Sequence, residues 1–320
     1  MPKSNPQLVQ LKALIAEDMS IAGRNFSQAN FSGIELKDAI LSGIIFSGAD
    51  LSNCNLSGSN LAGANLTGAD LYQANLRDSI LFGADLSNAD LTSSDLRGAR
   101  MGGVKLNGAK LSGANLMTAS LSGAELEATD FYEANLHKAN LAGVILSGSN
   151  LSMADLSEAN LFGADLSEVQ LTGAILRKAN LEGASLNMAN LGGADLEQAN
   201  LTGAKLRNAD LTDAKLGCAN LTAAELSAAN LSSADLSGAV LVRAMLMRAN
   251  LSDACLAEAD LEGSKVFGAQ FTSTDLSGAH LPGTAVYQDV ILSRFPSVIH
   301  SMATRWDEPK TPQNRRRANR

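Results

Sequence analysis

The chain is poor in cysteine, proline and aromatic residues. Its 320 residues include three cysteines, six prolines and one tryptophan, and 4% of them are aromatic. Cys54, Cys218 and Cys255 form no C-x-x-C pair and leave one thiol without a mate, so we expect no disulfide framework. No stretch has the roughly 18 apolar residues of a membrane span, and the N-terminus has no signal-peptide pattern. These absences predict a cytoplasmic protein that does not bind membranes.

Basic residues are scarce outside the C-terminus. The formal net charge is −8, but residues 286–320 contain seven Lys or Arg and three Asp or Glu, which leaves −12 for the rest of the chain. Phosphate contacts need a cationic surface, so the acidic body is not expected to bind nucleic acid directly. Residues 308–320 are predicted to form a disordered basic tail.

The motifs of common catalytic and metal sites are also missing. His137, His280 and His300 have no partner at metal-ligand spacing in the sequence and are interpreted as surface histidines. There is no G-x-S-x-G, H-E-x-x-H or glycine-rich phosphate-binding motif, and no nonapeptide of the calcium-binding solenoids. We therefore expect a protein that is not an enzyme and that has no cofactor or metal site.

What the chain does contain is an apolar residue at every fifth position from Ile21 to Leu281. Five residues advance an α-helix by about 500°, so these central residues would scatter around its axis. In a straight strand they would point alternately to opposite sides. A chain that turns a corner in every repeat can instead direct each of them inward. We therefore predict one elongated repeat domain over residues 21–285.

The remaining positions of the repeat fit this arrangement. The residue two before the central residue must also point inward, and it is usually alanine, with bulkier exceptions such as Val144 and Val169. The residue just before the central one should point outward, and Asp and Asn dominate there. Gly, Ser and Asn after the central residue are typical of turns.

The resulting A-(D/N)-L-x-x pattern occurs as ANLTG at 64–68, ADLYQ at 69–73 and ADLSE at 154–158. It resembles the repeat of the pentapeptide-repeat family. The resemblance implies an all-β solenoid, a right-handed parallel β-helix of nearly square section with twenty residues per coil. The rod would have about thirteen coils and be roughly 60 Å long at a strand spacing of ~4.8 Å.

Both ends of such a solenoid need closing elements. Residues 5–16 predict an amphipathic helix, with Asn5 as N-cap and Pro6 at the first helical position, in a capping segment over 1–20. Residues 286–307 are expected to cap the last coil or to join two subunits, since some relatives dimerise through this end. The apolar residues of this candidate cap or dimer contact are Val290, Ile291, Phe295, Ile299 and Trp306.

Charge is uneven when the chain is folded onto four faces with twenty residues per coil. The face with central residues from Phe31 to Phe271, here named the acidic face, has eight acidic residues and one base. The next face, from Leu36 to Leu276, is the mixed-charge face, with eleven acids and seven bases. Carboxylates mixed with tyrosine suit a protein interface. The candidate interaction face consists of Asp50, Asp70, Tyr72, Asp90, Asp130, Tyr132, Glu133, Asp210, Asp213 and Asp253.

A third face, with central residues from Leu41 to Leu281, is the asparagine face. Asn140, Asn160, Asn180, Asn200 and Asn220 are predicted to form a ladder of hydrogen-bonded amides along it. For the acidic face two interpretations stay open. Its carboxylates serve a partner, or they are a by-product of a repeat in which Asp is the usual residue before the central one.

Two functions follow from this sequence. The first is a rigid, non-enzymatic interaction module or scaffold that binds an unidentified protein through its flat faces. The alternative comes from the resemblance, because some pentapeptide-repeat proteins mimic duplex DNA and protect DNA gyrase or topoisomerase IV from quinolones. Duplex DNA carries one charge per ~1.7 Å, whereas this rod would carry about one per 5 Å. The chain also lacks the loop insertions of the plasmid-borne resistance members.

Overall fold

The structure, a computed structural model, describes residues 6–16, 21–281 and 305–306. Helix α1 spans Pro6–Ala16, and two short strands, β1 (His280–Leu281) and β2 (Arg305–Trp306), lie near the C-terminus. Between α1 and β1 the chain is a succession of turns and single-residue bridges. The predicted helix is confirmed with Pro6 at its first position, whereas its predicted N-cap, Asn5, lies outside the described residues.

Each five-residue repeat makes one β-turn that begins at its central residue. The N–H three residues later donates to the central carbonyl, as from Ala64 to Leu61 at 3.0 Å. The third residue of the turn has a positive φ, 63° at Gly63 and 54° at Gln73. This left-handed conformation is typical of a type II turn and favours glycine. The chain therefore turns a corner in every repeat, as the period of five predicts.

Parallel bridges join residues that are twenty positions apart, from Asn25 and Ile45 to Asp260 and His280. Between these coils, the N–H of a central residue donates to the next coil, as from Leu151 to the Gln170 carbonyl at 2.7 Å. The bridges form four columns because each coil contributes four repeats. The twenty-residue coil implied by the resemblance is thus present, and the repeats form a parallel β-solenoid with four faces.

The interior is filled by two residues from every repeat. All central residues from Leu41 to Leu261 are at most 1% exposed, and the residues two before them are buried as well. The bulkier members are accommodated in the same way, since Val144 and Val169 are also buried. The inward assignment of both positions is confirmed.

Helix α1 packs against the hydrophobic core of the repeats. Leu11 and Leu14 are buried in the same hydrophobic cluster as the repeats. In the first coils Phe26, Phe31 and Phe46 replace leucine as central residues, and their ring centroids lie 5.5 to 6.1 Å apart. The three rings thus contact one another in the same buried cluster that contains Leu11 and Leu14 of the helix.

At the other end, β2 pairs in parallel with β1, and Leu281 lies opposite Trp306 in the register. A segment beyond the last described repeat therefore continues the backbone pairing of the solenoid. Val290, Ile291, Phe295 and Ile299 lie outside the described residues, and the choice between a cap and a dimer contact stays a prediction.

Candidate functional site

The residue before each central residue has a backbone role that sequence analysis missed. In most repeats four of the five N–H groups donate to backbone carbonyls, and the fifth belongs to the residue just after the central one. Wherever the preceding residue is Asp or Asn between 21 and 281, its Oδ1 accepts this fifth N–H. The distance is 2.9 Å from Tyr72 to Asp70 and 3.2 Å from Glu182 to Asn180. Asp and Asn therefore cap the turn equally well.

The acidic face places Asp50, Asp70 and Asp90 in consecutive bridged coils. Asp50 Oδ2 accepts a hydrogen bond from Asn30 Nδ2 at 2.9 Å, and Asp90 Oδ2 lies 3.8 Å from Lys110 Nζ. Within residues 21–281, this contact to Lys110 is the single ion pair of the face. The carboxylates of the acidic face are thus mostly uncompensated by positive charge.

Two tyrosines project from the same face among these carboxylates. Tyr72 and Tyr132 are 42% and 41% exposed. A hydrogen bond from the Tyr132 hydroxyl to Glu133, together with the charge of that carboxylate, raises the pKa of Tyr132. Both aromatic side chains are therefore exposed and available to contact a partner.

The other predicted interaction residues lie farther along the rod. Asp130 accepts hydrogen bonds from Ser112 Oγ at 2.7 Å and Asn150 Nδ2 at 3.0 Å, and Asp210 accepts one from Asn230 at 3.2 Å. Asp213 and Asp253 occupy third positions of turns, and both are exposed. The structure brings Asp50, Asp70 and Asp90 together, while the rest follow at intervals on the same side.

The mixed-charge face neutralises much of its charge internally. Arg177 Nε lies 2.7 Å from Asp195 Oδ2, and Arg177 Nη1 lies 3.3 Å from Glu197. The hydrogen bonds and positive charge of Arg97 hold the pKa of Asp95 below its ordinary value, against the opposing effect of burial. The net charge of this face therefore produces a weaker outward field than that of the acidic face.

A shallow polar cleft of about 300 Å³ lies on the mixed-charge face. Three of its charged groups are already paired, because Arg177 contacts Glu197, and Glu158 contacts Lys138 at 3.4 Å. Lining residues are Ser157, Glu158, Arg177, Lys178, Glu197 and Gln198. This arrangement resembles no set of nucleophile, base and orienting group, so the cleft does not suggest a catalytic site.

The asparagine face carries the predicted amide ladder. Each Nδ2 donates to the Oδ1 of the preceding coil, from Asn160 to Asn140, from Asn180 to Asn160 and from Asn200 to Asn180, at 3.1 to 3.2 Å. The ladder is confirmed for these four residues, and Asn220 caps its own turn. Amides at this position therefore stabilise neighbouring coils, in contrast to the carboxylates of the acidic face.

The interpretation of His280 as isolated is wrong. His280 Nδ1 lies 3.0 Å from Asp260 Oδ1, and ligand atoms of Asp260, Glu262 and His280 all lie within 4.8 Å of one another. The contact could have been found from the spacing of twenty residues between Asp260 and His280. Residues at this spacing are far apart in the sequence but are neighbours in adjacent coils. His137 similarly contacts Ser157 at 2.8 Å. The third histidine, His300, lies outside the described residues.

Comparison with known proteins places the repeats in a family. The model of the pentapeptide repeats matches in eight copies between residues 44 and 263. HetL from the cyanobacterium Nostoc sp. strain PCC 7120, a pentapeptide repeat protein involved in the regulation of heterocyst differentiation, is 32% identical over 86% of this chain and 96% of its own, with a TM-score of 0.23. QnrB1, a plasmid-mediated fluoroquinolone resistance protein, is 20% identical over 65% and 96%, with a TM-score of 0.28.

A pentapeptide repeat protein from the thylakoid lumen of Arabidopsis thaliana is 30% identical over 39% of this chain and 69% of its own, with a TM-score of 0.16. No curated protein matches the chain. Among residues 6–16, 21–281 and 305–306, no helix has the length and apolar character required to cross a membrane. The match over more than half of its length shows that the chain belongs to the pentapeptide-repeat family.

Proposed function

We propose that the protein is a non-enzymatic interaction module or scaffold that works in the cytoplasm. In this proposal the solenoid is a right-handed rod of about thirteen coils, and its acidic face binds the basic surface of a protein partner. The observation that carries the proposal is the charge imbalance of the acidic face. This face has eight acidic residues and one basic residue, and within residues 21–281 a single ion pair forms on it.

Capping of turns explains why these residues have a side-chain Oδ1 atom, but it does not explain why they are charged. Asn would cap each turn as well as Asp does, as Asn180 shows on the asparagine face. Stacked carboxylates about 5 Å apart repel by roughly 1 kcal/mol per neighbour even in water. Folding alone therefore favours Asn at Asp50 and Asp70, whereas Lys110 offsets part of the repulsion at Asp90. A basic partner would turn this unfavourable charge into binding energy and into faster association.

Mimicry of duplex DNA is not favoured as an alternative. The mixed-charge face does not add its full charge to the acidic face, because Arg97 and Arg177 pair with acids there. The rod therefore presents one strongly acidic side rather than two charged strands. A supercoiling assay with purified DNA gyrase is expected to show neither inhibition nor protection from quinolones.

The proposal includes no direct binding of nucleic acid or membrane by the acidic body. The proposal also includes a homodimer that forms through the C-terminal segment over 286–307. Two subunits joined in this way would present two acidic faces. The molar mass of the full chain in solution tests this separately. A monomer at micromolar concentration would leave the acidic face as the only proposed contact surface.

The central experiment is affinity capture from the native cell extract with a variant that removes charge and keeps the caps. Asp50, Asp70, Asp90 and Asp130 are changed together to Asn, which retains the capping oxygen of each turn. We expect the partner captured by the unmodified chain to be lost. Raised salt should weaken capture by the unmodified chain, since exposed charges are screened.

The matched control removes four charges from the same repeat position on other faces. It carries Asn at Asp85, Asp155, Asp165 and Asp235, each of which also caps its own turn. This variant should capture the partner normally. Retention of the partner by the acidic-face variant, or equal loss from both variants, would contradict the proposal.

A further inference from the structure

Three side chains of different chemistry meet at the C-terminal end of the asparagine face. Asp260 and His280 are bridged in adjacent coils, and Glu262 follows Asp260 by two residues in the same turn. Each residue offers one ligand atom, and these atoms lie within 4.8 Å of one another. An imidazole and two carboxylates therefore surround one point on the surface of the rod.

The backbone holds this group in place from both sides. Asp260 Oδ1 accepts the N–H of Glu262 at 3.0 Å, which fixes the turn that carries both carboxylates. His280 is bridged to Asp260 on one side and paired with Arg305 of β2 on the other. The three Cα positions are thus set by the pairing of the solenoid, and the side chains need no rearrangement of the backbone to converge.

We propose that Asp260, Glu262 and His280 form a binding site for a divalent transition-metal ion such as Zn²⁺. A mixed set of one imidazole nitrogen and two carboxylate oxygens suits Zn²⁺ and its neighbours, whereas Mg²⁺ and Ca²⁺ favour oxygen ligands throughout. Zinc bonds of about 2.0–2.2 Å place ligand atoms roughly 3 to 4 Å apart. Rotation of the exposed Glu262 side chain closes the remaining gap.

Metal binding would replace an existing contact rather than fill an unstructured surface. His280 Nδ1 lies 3.0 Å from Asp260 Oδ1, and an ion bound by the two atoms would replace this contact. Metal ligands must be deprotonated, so binding weakens in acid. The ion would also join two coils directly beside β1, so it stabilises the C-terminal end of the solenoid when it binds only the folded state. This role is independent of the acidic face.

The test is calorimetric titration of ZnSO₄ into the full chain after treatment with a chelator. We expect one ion per chain and a rise in melting temperature with Zn²⁺. Two variants probe the ligands. His280→Ala removes the nitrogen, and Asp260→Asn removes the negative charge while keeping Oδ1, which caps the turn. Each should weaken Zn²⁺ binding by about tenfold or more. MgCl₂ should bind far more weakly than ZnSO₄.

The controls separate this site from other groups that attract zinc. Asp275→Asn changes the same repeat position in the adjoining repeat, where the side chain caps the N–H of Ser277. His137→Ala removes another histidine, and Cys218→Ser removes an exposed thiol. All three variants should bind Zn²⁺ as the unmodified chain does. Unchanged binding by His280→Ala, or equal weakening by any control, would overturn the proposed site.

Discussion

The acidic face and the asparagine face use the same position of the same repeat in different ways. Asp70 and Asn180 each accept the N–H two residues later. Asn180 also donates to Asn160 and accepts from Asn200, whereas the neighbours of Asp70 in the column are the carboxylates of Asp50 and Asp90. The repeat thus requires a capping oxygen and leaves charge as a variable that each face can set separately.

The largest effect should come from the interior, where the two faces are alike. Leu151 and Leu161, central residues of the acidic and asparagine faces, are both fully buried. Leu151→Asp and Leu161→Asp each place an unpaired charge in the core and should lower stability by several kcal/mol. Thermal and denaturant unfolding measure this, with the turn substitution Ser152→Asp as control. An unchanged melting temperature for Leu151→Asp would contradict the inward assignment.

Removal of a cap should distinguish the faces. Asn180→Ala loses the capping bond and two rungs of the ladder, a cost of about 2 kcal/mol at roughly 1 kcal/mol or less per bond. Asp70→Ala loses one capping bond but relieves repulsion from Asp50 and Asp90, so we expect a cost below about 1 kcal/mol. Denaturant unfolding gives the two values. Equal costs would mean that the ladder and the stacked charges contribute little.

Exchange of the two residue types should give opposite signs. Asp70→Asn keeps the cap and removes repulsion, so it should stabilise the protein by about 1 kcal/mol or less at neutral pH. Asn180→Asp introduces a charge and breaks the amide ladder, so it should destabilise. Melting temperatures measured at low and high salt provide the check, because screening reduces the effect of charge at Asp70. A stabilising Asn180→Asp would refute the account of the ladder.

The smallest effect concerns an ion pair on the mixed-charge face. Arg97 holds the pKa of Asp95 below its ordinary value in the folded state. The pair therefore stabilises the protein above the unfolded pKa of about 3.9, and this contribution is lost as the pH falls through the lower folded pKa. Asp95→Asn should cost under about 1 kcal/mol at neutral pH, because surface pairs are weak.

The pH series for this ion pair needs a matched variant. Asp235→Asn changes a residue that caps the N–H of Ser237 and has no ion pair among the described residues. Denaturant unfolding at several pH values should show the difference between Asp95→Asn and the parent disappearing in acid, with a smaller difference at neutral pH for Asp235→Asn. A difference that grows in acid would have the wrong sign.

Much of this fold could be predicted from the period of five. The sequence alone indicated the turning chain, the buried pair of positions in each repeat, the helix beginning at Pro6 and the amide ladder from Asn140. All but the helix follow from local repetition, because a repeat that fits once fits again one coil later. The twenty-residue coil came from the family resemblance, since the spacing of apolar residues does not state how many corners close a turn.

The chemistry of the outer residues was harder to predict. The capping role of Asp70 depends on which N–H the backbone leaves unbonded, and this is known only when every other hydrogen bond is placed. His280 looked isolated because its contacts with Asp260 and Glu262 cross between coils. The long side chain of Arg177 contacts two acidic residues in the next coil, and the repeat pattern does not predict the orientation of this side chain.

Within the repeats, bridged residues are always twenty positions apart. The position of a residue in the sequence therefore determines which face it lies on and which coil it belongs to. Deletion of five residues between Asp90 and Asp130 would move every later repeat to the neighbouring face. Asp130 would then no longer lie in the same column as Asp90. Deletion of twenty would keep each column aligned and shorten the rod by about 4.8 Å. Insertions or deletions that keep the same residues on each face must therefore comprise whole coils. Evolution or design can change the length of the rod in these steps and leave the composition of the faces unchanged.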